Sequence, residues 1–78
     1  MLRLFAAARE AAGTAREVVA GATVGEVLAE ARARHGEAFA AVLAASRVWV
    51  NGEPAGESDA VGEHDEVAVL PPVSGGAG

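Results

Sequence analysis

Val67-Ala68-Val69-Leu70-Pro71-Pro72-Val73-Ser74-Gly75-Gly76-Ala77-Gly78 is the stretch on which the fold turns. Its first four residues are all apolar and read as a strand. A run without alternation predicts a central strand covered on both faces. Pro71 and Pro72 end the ladder, because proline has no N–H to donate. Side-chain bulk then falls away through Val73 and Ser74 to Gly75 and Gly76. Glycine lacks Cβ, so the backbone there can approach another surface closely. The prolines restrict the unfolded chain and project the segment from the sheet. Such an end is either a frayed terminus or an arm that enters a partner's narrow channel. The chain therefore divides into a folded domain over residues 1–72 and a flexible C-terminal tail over residues 73–78.

Working back from the tail, the clearest local signal is Thr23-Val24-Gly25-Glu26, a capping box with Thr23 as N-cap and Glu26 at N3. Ala22 and Val27 stand where a hydrophobic staple would be. Val24, Val27, Leu28 and Ala31 follow the spacing of one apolar helix face. Glu30 and Arg34 form an i, i+4 pair in the favourable order. Arg32, Arg34 and His35 lie in the last turn, where the helix dipole favours cations. Gly36 is the stop, so a helix is predicted over Val24–His35. Phe39, Val42 and Leu43 predict a short further helix within Glu37–Ala45.

At the start, Leu2 and Leu4 share one strand face, and Arg3 and Phe5 share the other. Core is the commoner fate for a Phe, and a docking surface is the minority reading. Ala6–Ala12 favours a turn or two of helix closed by Gly13. Ala15–Ala20 reads as a second strand, antiparallel to the first. Arg47–Val50 is a strand ended by the Asn51-Gly52 turn, with Val48 and Val50 facing the core and Trp49 pointing the other way. Glu53–Glu63 is polar and turn-rich, with at most a short strand. Strand, strand, helix, short helix, strand, loop, strand is the order of an α+β, β-grasp domain: a mixed sheet curled around one main helix. Its first and last strands would pair in parallel at the centre.

The 78 residues suffice for one domain, with a stability of about 4–12 kcal/mol at roughly 0.05–0.15 kcal/mol per residue. The net charge of −5 and six scattered arginines argue against nucleic acid, which needs clustered positive charge. An acidic chain suits a basic protein partner, or is acidic simply for solubility. No run reaches the ~18 apolar residues of a membrane span. Arg3 and Arg9 interrupt the apolar start, so no secretory leader is read, and a cytoplasmic protein is expected. The chain has no cysteine, which excludes disulfides, thiolate metal sites and a side-chain persulfide. It also has no lysine, which excludes a Schiff base and a side-chain acceptor for ubiquitin-type conjugation.

The interior holds no convincing catalytic set. His35 and His64 lie 29 residues apart with no ligand spacing around them. Glu63, Asp65 and Glu66 read as a solvated turn. Ser46, Ser58 and Ser74 have no nearby His base. Gly75-Gly76 precedes no helix, so it is not a phosphate loop. No metal site and no bound cofactor are expected, and the terminus is left as the reactive element.

Several stretches resemble the small subunit of molybdopterin synthase, the MoaD family, within the wider MoaD/ThiS group of ubiquitin-like sulfur carriers. Phe5-Ala6 with Arg9-Glu10 and Gly13 resembles its opening motif. Thr23 to Leu28 resembles its helix start, and Val50-Asn51-Gly52 its following turn. Asp65-Glu66-Val67-Ala68 and Pro71-Pro72-Val73-Ser74-Gly75-Gly76 resemble its ending, whose paired prolines favour MoaD over thiazole-pathway carriers. The resemblance implies the following chemistry. A MoeB-like enzyme, using ATP and Mg²⁺, adenylates the terminal glycine carboxylate. A sulfur donor converts the acyl-adenylate to a thiocarboxylate. The tail then enters a MoaE-like large subunit, where its sulfur attacks cyclic pyranopterin monophosphate. On this reading Gly76 bears the sulfur and Gly75 fits the channel. Pro71, Pro72, Val73 and Ser74 form the arm, while Phe5, Arg9 and Leu70 match the partner interface. The chain departs from the family pattern by continuing through Ala77-Gly78, so a processing protease is expected to remove them; otherwise Gly78 itself is the activated residue or this copy is inactive. The alternatives are a carrier for thiazole or cysteine synthesis and a ubiquitin-like protein modifier.

Overall fold

The computed structural model describes residues 1–72; the predicted roles of Val73, Ser74, Gly75 and Gly76, and the trimming of Ala77-Gly78, lie outside them. The elements in order are β1 (Leu2–Leu4), α1 (Ala6–Ala12), β2 (Arg16–Glu17), α2 (Val24–His35), α3 (Glu37–Ala44), β3 (Arg47–Val50), β4 (Glu53–Pro54) and β5 (Val67–Leu70). The sheet order is β2-β1-β5-β3-β4. The central pair β1·β5 is parallel, with Leu2 opposite Val67 and Leu4 opposite Val69. The other three pairings are antiparallel. This is the mixed β-grasp sheet that the element order predicts.

The main helix α2 begins and ends where its local signals place it. Thr23 is extended, and its Oγ1 accepts from Glu26 N at 3.2 Å. The reciprocal bond arrives one residue early, with the Glu26 carboxylate accepting from Ala22 N at 2.8 Å. Gly36, at φ +86°, ends α2 and opens α3, a backbone region that side chains resist. Val24, Val27, Leu28 and Ala31 are buried against Leu2, Leu4, Val67 and Val69, and α3 adds fully buried Phe39 and Leu43. Ala8 of α1 joins the same core, so all three helices cover one side of the sheet.

Two expectations are corrected. The strand Val67–Leu70 is central but not covered on both faces. Val67 and Val69 are buried, whereas Ala68 is half-buried and Leu70 is 37% exposed. A continuous apolar run reports that both faces are apolar, and an apolar face can still be left open. The second strand is also shorter than Ala15–Ala20. Leu2 pairs with Glu17, so Met1 is the last residue that could face Val18, and the ladder runs out of partner. The Val18 carbonyl instead accepts from Arg34 Nη1 at 3.0 Å.

Candidate functional site

Strand register assembles the site on the open side of the sheet. Ala68 of β5 lies opposite Arg3 of β1 and Trp49 of β3, and Leu70 lies opposite Arg47. Residues directly opposite share a face, so these side chains stand together away from the helices. Phe5 follows β1 by one residue. It is extended, serves as the N-cap of α1 without a side-chain bond, and is 37% exposed. Alternation with Leu2 and Leu4 therefore prevails over the usual burial of a Phe. Two adjoining depressions result. One is lined by Phe5, Trp49, Gly52, Glu66, Ala68 and Leu70. The other is lined by Ala45, Arg47, Trp49, Leu70, Pro71 and Pro72. An apolar path thus runs from Phe5 past Trp49 and Leu70 to the prolines, where the chain leaves β5.

Charge frames this path. The Arg3 guanidinium lies 5.3 Å from the Phe5 ring centroid, within cation–π range, and pairs with Glu66 at 3.1 Å. It therefore holds Phe5 and Glu66 at one end of the path. Arg47, exposed, stands at the other end beside Pro71 and Pro72. Among the predicted partner-contact residues, the structure gathers Phe5, Leu70, Pro71 and Pro72. Arg9 is exposed on α1, which packs on the helical side of the sheet, and it lines neither depression.

A polar latch sets where β5 begins. Asn51, at φ +51°, accepts from Glu66 N through Oδ1 at 2.9 Å, while its own N–H donates to the Glu66 carbonyl at 2.9 Å. The Asp65 carboxylate accepts from Gly62 N at 2.8 Å and from Asn51 Nδ2 at 2.9 Å. The Gly62 bond first, and then the Asn51 bond, holds that carboxyl below its ordinary value. The Met1 amine donates to the Asp65 carbonyl at 3.0 Å. The sequence marks Asn51-Gly52 as a turn, but its grip on the next strand is non-local and carries no sequence signal.

The sequence also missed a contact of His35. Its Nε2 meets the Glu17 carboxylate, and its ring packs on Phe39 with centroids 5.1 Å apart. Arg34 adds contacts to Glu17 at 3.5 Å and Glu30 at 3.1 Å. This cluster ties edge strand β2 to the end of α2. The Ser46 hydroxyl donates to the Val42 carbonyl at 2.7 Å, an α3 end-cap. Among the described residues, no group of three or more His, Asp or Glu side chains gathers as a metal site, and no helix is long and apolar enough to cross a membrane. The described residues thus offer an open apolar face that ends at Pro71 and Pro72.

Comparison with known proteins agrees with this geometry. The sequence model of the ThiS family matches residues 2–76. The crystal structure of SAMP1 from Haloferax volcanii superposes with a TM-score of 0.77 at 32% identity, covering 94% of this chain and 93% of that one. A crystal structure of small archaeal modifier protein 1 from H. volcanii gives 0.70 at 30% identity, covering 92% and 94%. Nearly the whole length is shared in both directions, so the likeness extends over the whole sheet and its helices.

Proposed function

The chain belongs to the ThiS family of ubiquitin-like carriers and modifiers, and on that premise we propose that it is the sulfur-carrying small subunit of a molybdopterin synthase, working in the cytoplasm. The observation that carries this reading is the path from Phe5 to Pro71-Pro72, continued in sequence by Val73-Ser74-Gly75-Gly76. A partner seated on the open face would receive the arm directly. The paired prolines and the Val-Ser-Gly-Gly ending support MoaD-type chemistry over thiazole-type chemistry. The family match runs to Gly76, which supports Gly76 as the reactive residue once Ala77 and Gly78 are removed by a processing protease.

The chemistry divides between partners. In a MoeB-like enzyme a carboxylate oxygen of Gly76 attacks the α-phosphorus of Mg²⁺-bound ATP, and pyrophosphate leaves. Sulfur at the sulfide level then attacks the acyl carbon, the C–O bond to AMP breaks, and AMP leaves behind a thiocarboxylate. In a MoaE-like subunit that sulfur attacks cyclic pyranopterin monophosphate, and water then cleaves the acyl C–S bond, leaving the sulfur on the pterin and restoring the Gly76 carboxylate. This chain supplies a docking face, a tether without bulk, and no cysteine to compete for the sulfur. The test is to thiocarboxylate the chain ending at Gly76, add the large subunit and the pterin substrate, and assay molybdopterin. Formation that requires both proteins is expected; no product with a competent large subunit refutes the assignment. A second reading, a protein modifier, is favoured by the likeness to a small archaeal modifier protein. It predicts amide-linked adducts on other proteins' lysines in place of a stable thiocarboxylate.

A further inference from the structure

The open face of the sheet carries a charge opposite in sign to that of the whole chain. Arg16 of β2 lies opposite Arg3 of β1, and Arg47 of β3 lies opposite Leu70 of β5. All three arginines therefore stand on the side away from the helices. Of the eleven Asp and Glu residues, Glu66 is the one that lines the depressions of this face, and it pairs with Arg3. Glu17 and Glu53 lie opposite Leu2 and Val50, on the helical side. Asp65 is held in the turn before β5 by Gly62 and Asn51. Three arginines less one glutamate put the face at +2, so the net charge of −5 leaves −7 on the rest of the chain. Glu66 neutralises Arg3, but among the described residues Arg16 and Arg47 have no carboxylate within 4.0 Å. Like charges directly opposite each other destabilise a sheet, so folding alone does not account for the Arg3–Arg16 pair. Arg16 and Arg47 are three strand spacings apart across the sheet and two residues apart along it. At ~4.8 Å per strand and ~3.3 Å per residue, their Cα atoms are about 16 Å apart. Ala68, Trp49 and Leu70 lie between them.

We propose that the open face docks on a partner protein whose contact surface is apolar at its centre and carries carboxylates on two sides, placed to meet Arg16 and Arg47. This rests on the open face being the docking face of the carrier, and it names the partner's charge. The net charge of the chain points to a basic partner, and the face that docks points to an acidic one. Apolar side chains of the partner cover Phe5, Trp49 and Leu70 between the two ion pairs. Charge complementarity also sets orientation. The +2 face is drawn to the acidic surface while the −7 remainder is pushed from it, so the carrier arrives with Pro71 and Pro72 toward the partner. An anionic lipid surface would attract the same arginines, but it extends beyond the face and repels the remainder as well. A bounded acidic patch on a protein avoids that repulsion.

The test uses the full chain, ¹⁵N-labelled, titrated with the N-acetylated, C-amidated peptide Glu-Leu-Phe-Leu-Glu and with its counterpart bearing lysine at both glutamates. When extended, the peptide places its two carboxylates on one face, ~13 Å apart at the backbone, within reach of the long arginine side chains. The acidic peptide is expected to shift the amides of Trp49, Ala68 and Leu70 saturably, and the lysine peptide is not. Reversing both charges with Arg16→Glu and Arg47→Glu should weaken binding by about tenfold. Should that double variant fail to fold, Arg47→Gln alone should weaken it by about threefold. Arg32→Glu, on α2 behind the sheet, makes the same charge change per site and should leave affinity within about twofold. No saturable shift, equal binding of both peptides, shifts at Leu28 and Leu43 instead, unchanged affinity in the folded variants, or an equal loss in Arg32→Glu would each overturn the proposal. So would shifts of the same amides by phosphatidylserine vesicles, which favour a membrane, or by raising the chain's own concentration without peptide, which favours a second copy. No partner enzyme enters the titration, so its failure is separate from a failure of the molybdopterin assay.

Discussion

Truncating Phe5 or Leu70 to alanine tests the open face as the docking surface, because both remain 37% exposed in the free chain. Burying such a side chain completely is worth about 1.5–3 kcal/mol, so covering the exposed fraction is worth about 0.6–1.1 kcal/mol. Each single variant should therefore weaken partner binding about 3–6-fold, and the double variant about 8–40-fold if the two contributions add. The buried part of each side chain also matters to folding, at about 1–2 kcal/mol by the same measure. That is less than the ~4–12 kcal/mol available to a domain of this length, so the single variants stay folded. Titration calorimetry against the proposed MoeB-like enzyme reads the affinity, with circular dichroism as the folding control. Val18→Ala is the comparison, since Val18 is 75% exposed yet lines neither depression. Folded Phe5→Ala and Leu70→Ala chains that bind within twofold of the parent would refute the reasoning, as would an equal loss in Val18→Ala.

Three further outcomes are expected. Thr23→Ala removes the acceptor of the Glu26 amide and should cost about 1 kcal/mol, lowering the melting temperature by about 4–8 °C. Gly21→Ala would place a Cβ 2.8 Å from Val27 N and 2.9 Å from Val27 Cγ2; a forced shift of this kind costs about 1–3 kcal/mol, readable as a lower urea midpoint. Asp65 is held below its ordinary value in the folded chain, so its contribution is present above the unfolded carboxylate value of about 4 and is lost as pH falls through the folded one. Asp65→Asn should therefore flatten the stability profile in that acid window, as measured by urea unfolding at several pH values.

Legibility in the sequence follows the range of the interactions. The bounds of α2 were readable because the Thr23 cap, the apolar stripe and Gly36 are all local. The parallel β1·β5 pair follows from element order, whereas Phe5 is exposed against the commoner expectation of a buried Phe, because strand alternation overrides it. The open face was not readable, because Val67–Leu70 is apolar on both sides and only the packing shows which side the helices take. The β2 boundary depends on where β1 begins, fifteen residues away by register from Glu17 to Leu2. The His35–Glu17 contact and the Asn51–Asp65 latch join residues distant in sequence, and a single sequence carries no trace of such pairings. The arm's chemistry came from resemblance alone, since Gly75 and Gly76 bear no side chains to argue from.

The central claim is that the chain carries sulfur on the carboxyl of Gly76, and intact-mass spectrometry tests it most directly. The chain ending at Gly76 is incubated with the proposed MoeB-like adenylating enzyme, ATP, Mg²⁺ and a sulfur donor. The account predicts a mass gain equal to exchange of one oxygen for sulfur, localised to the terminal residue and dependent on ATP. No gain with an active enzyme, or a gain that persists when Gly75 and Gly76 are deleted, would contradict it.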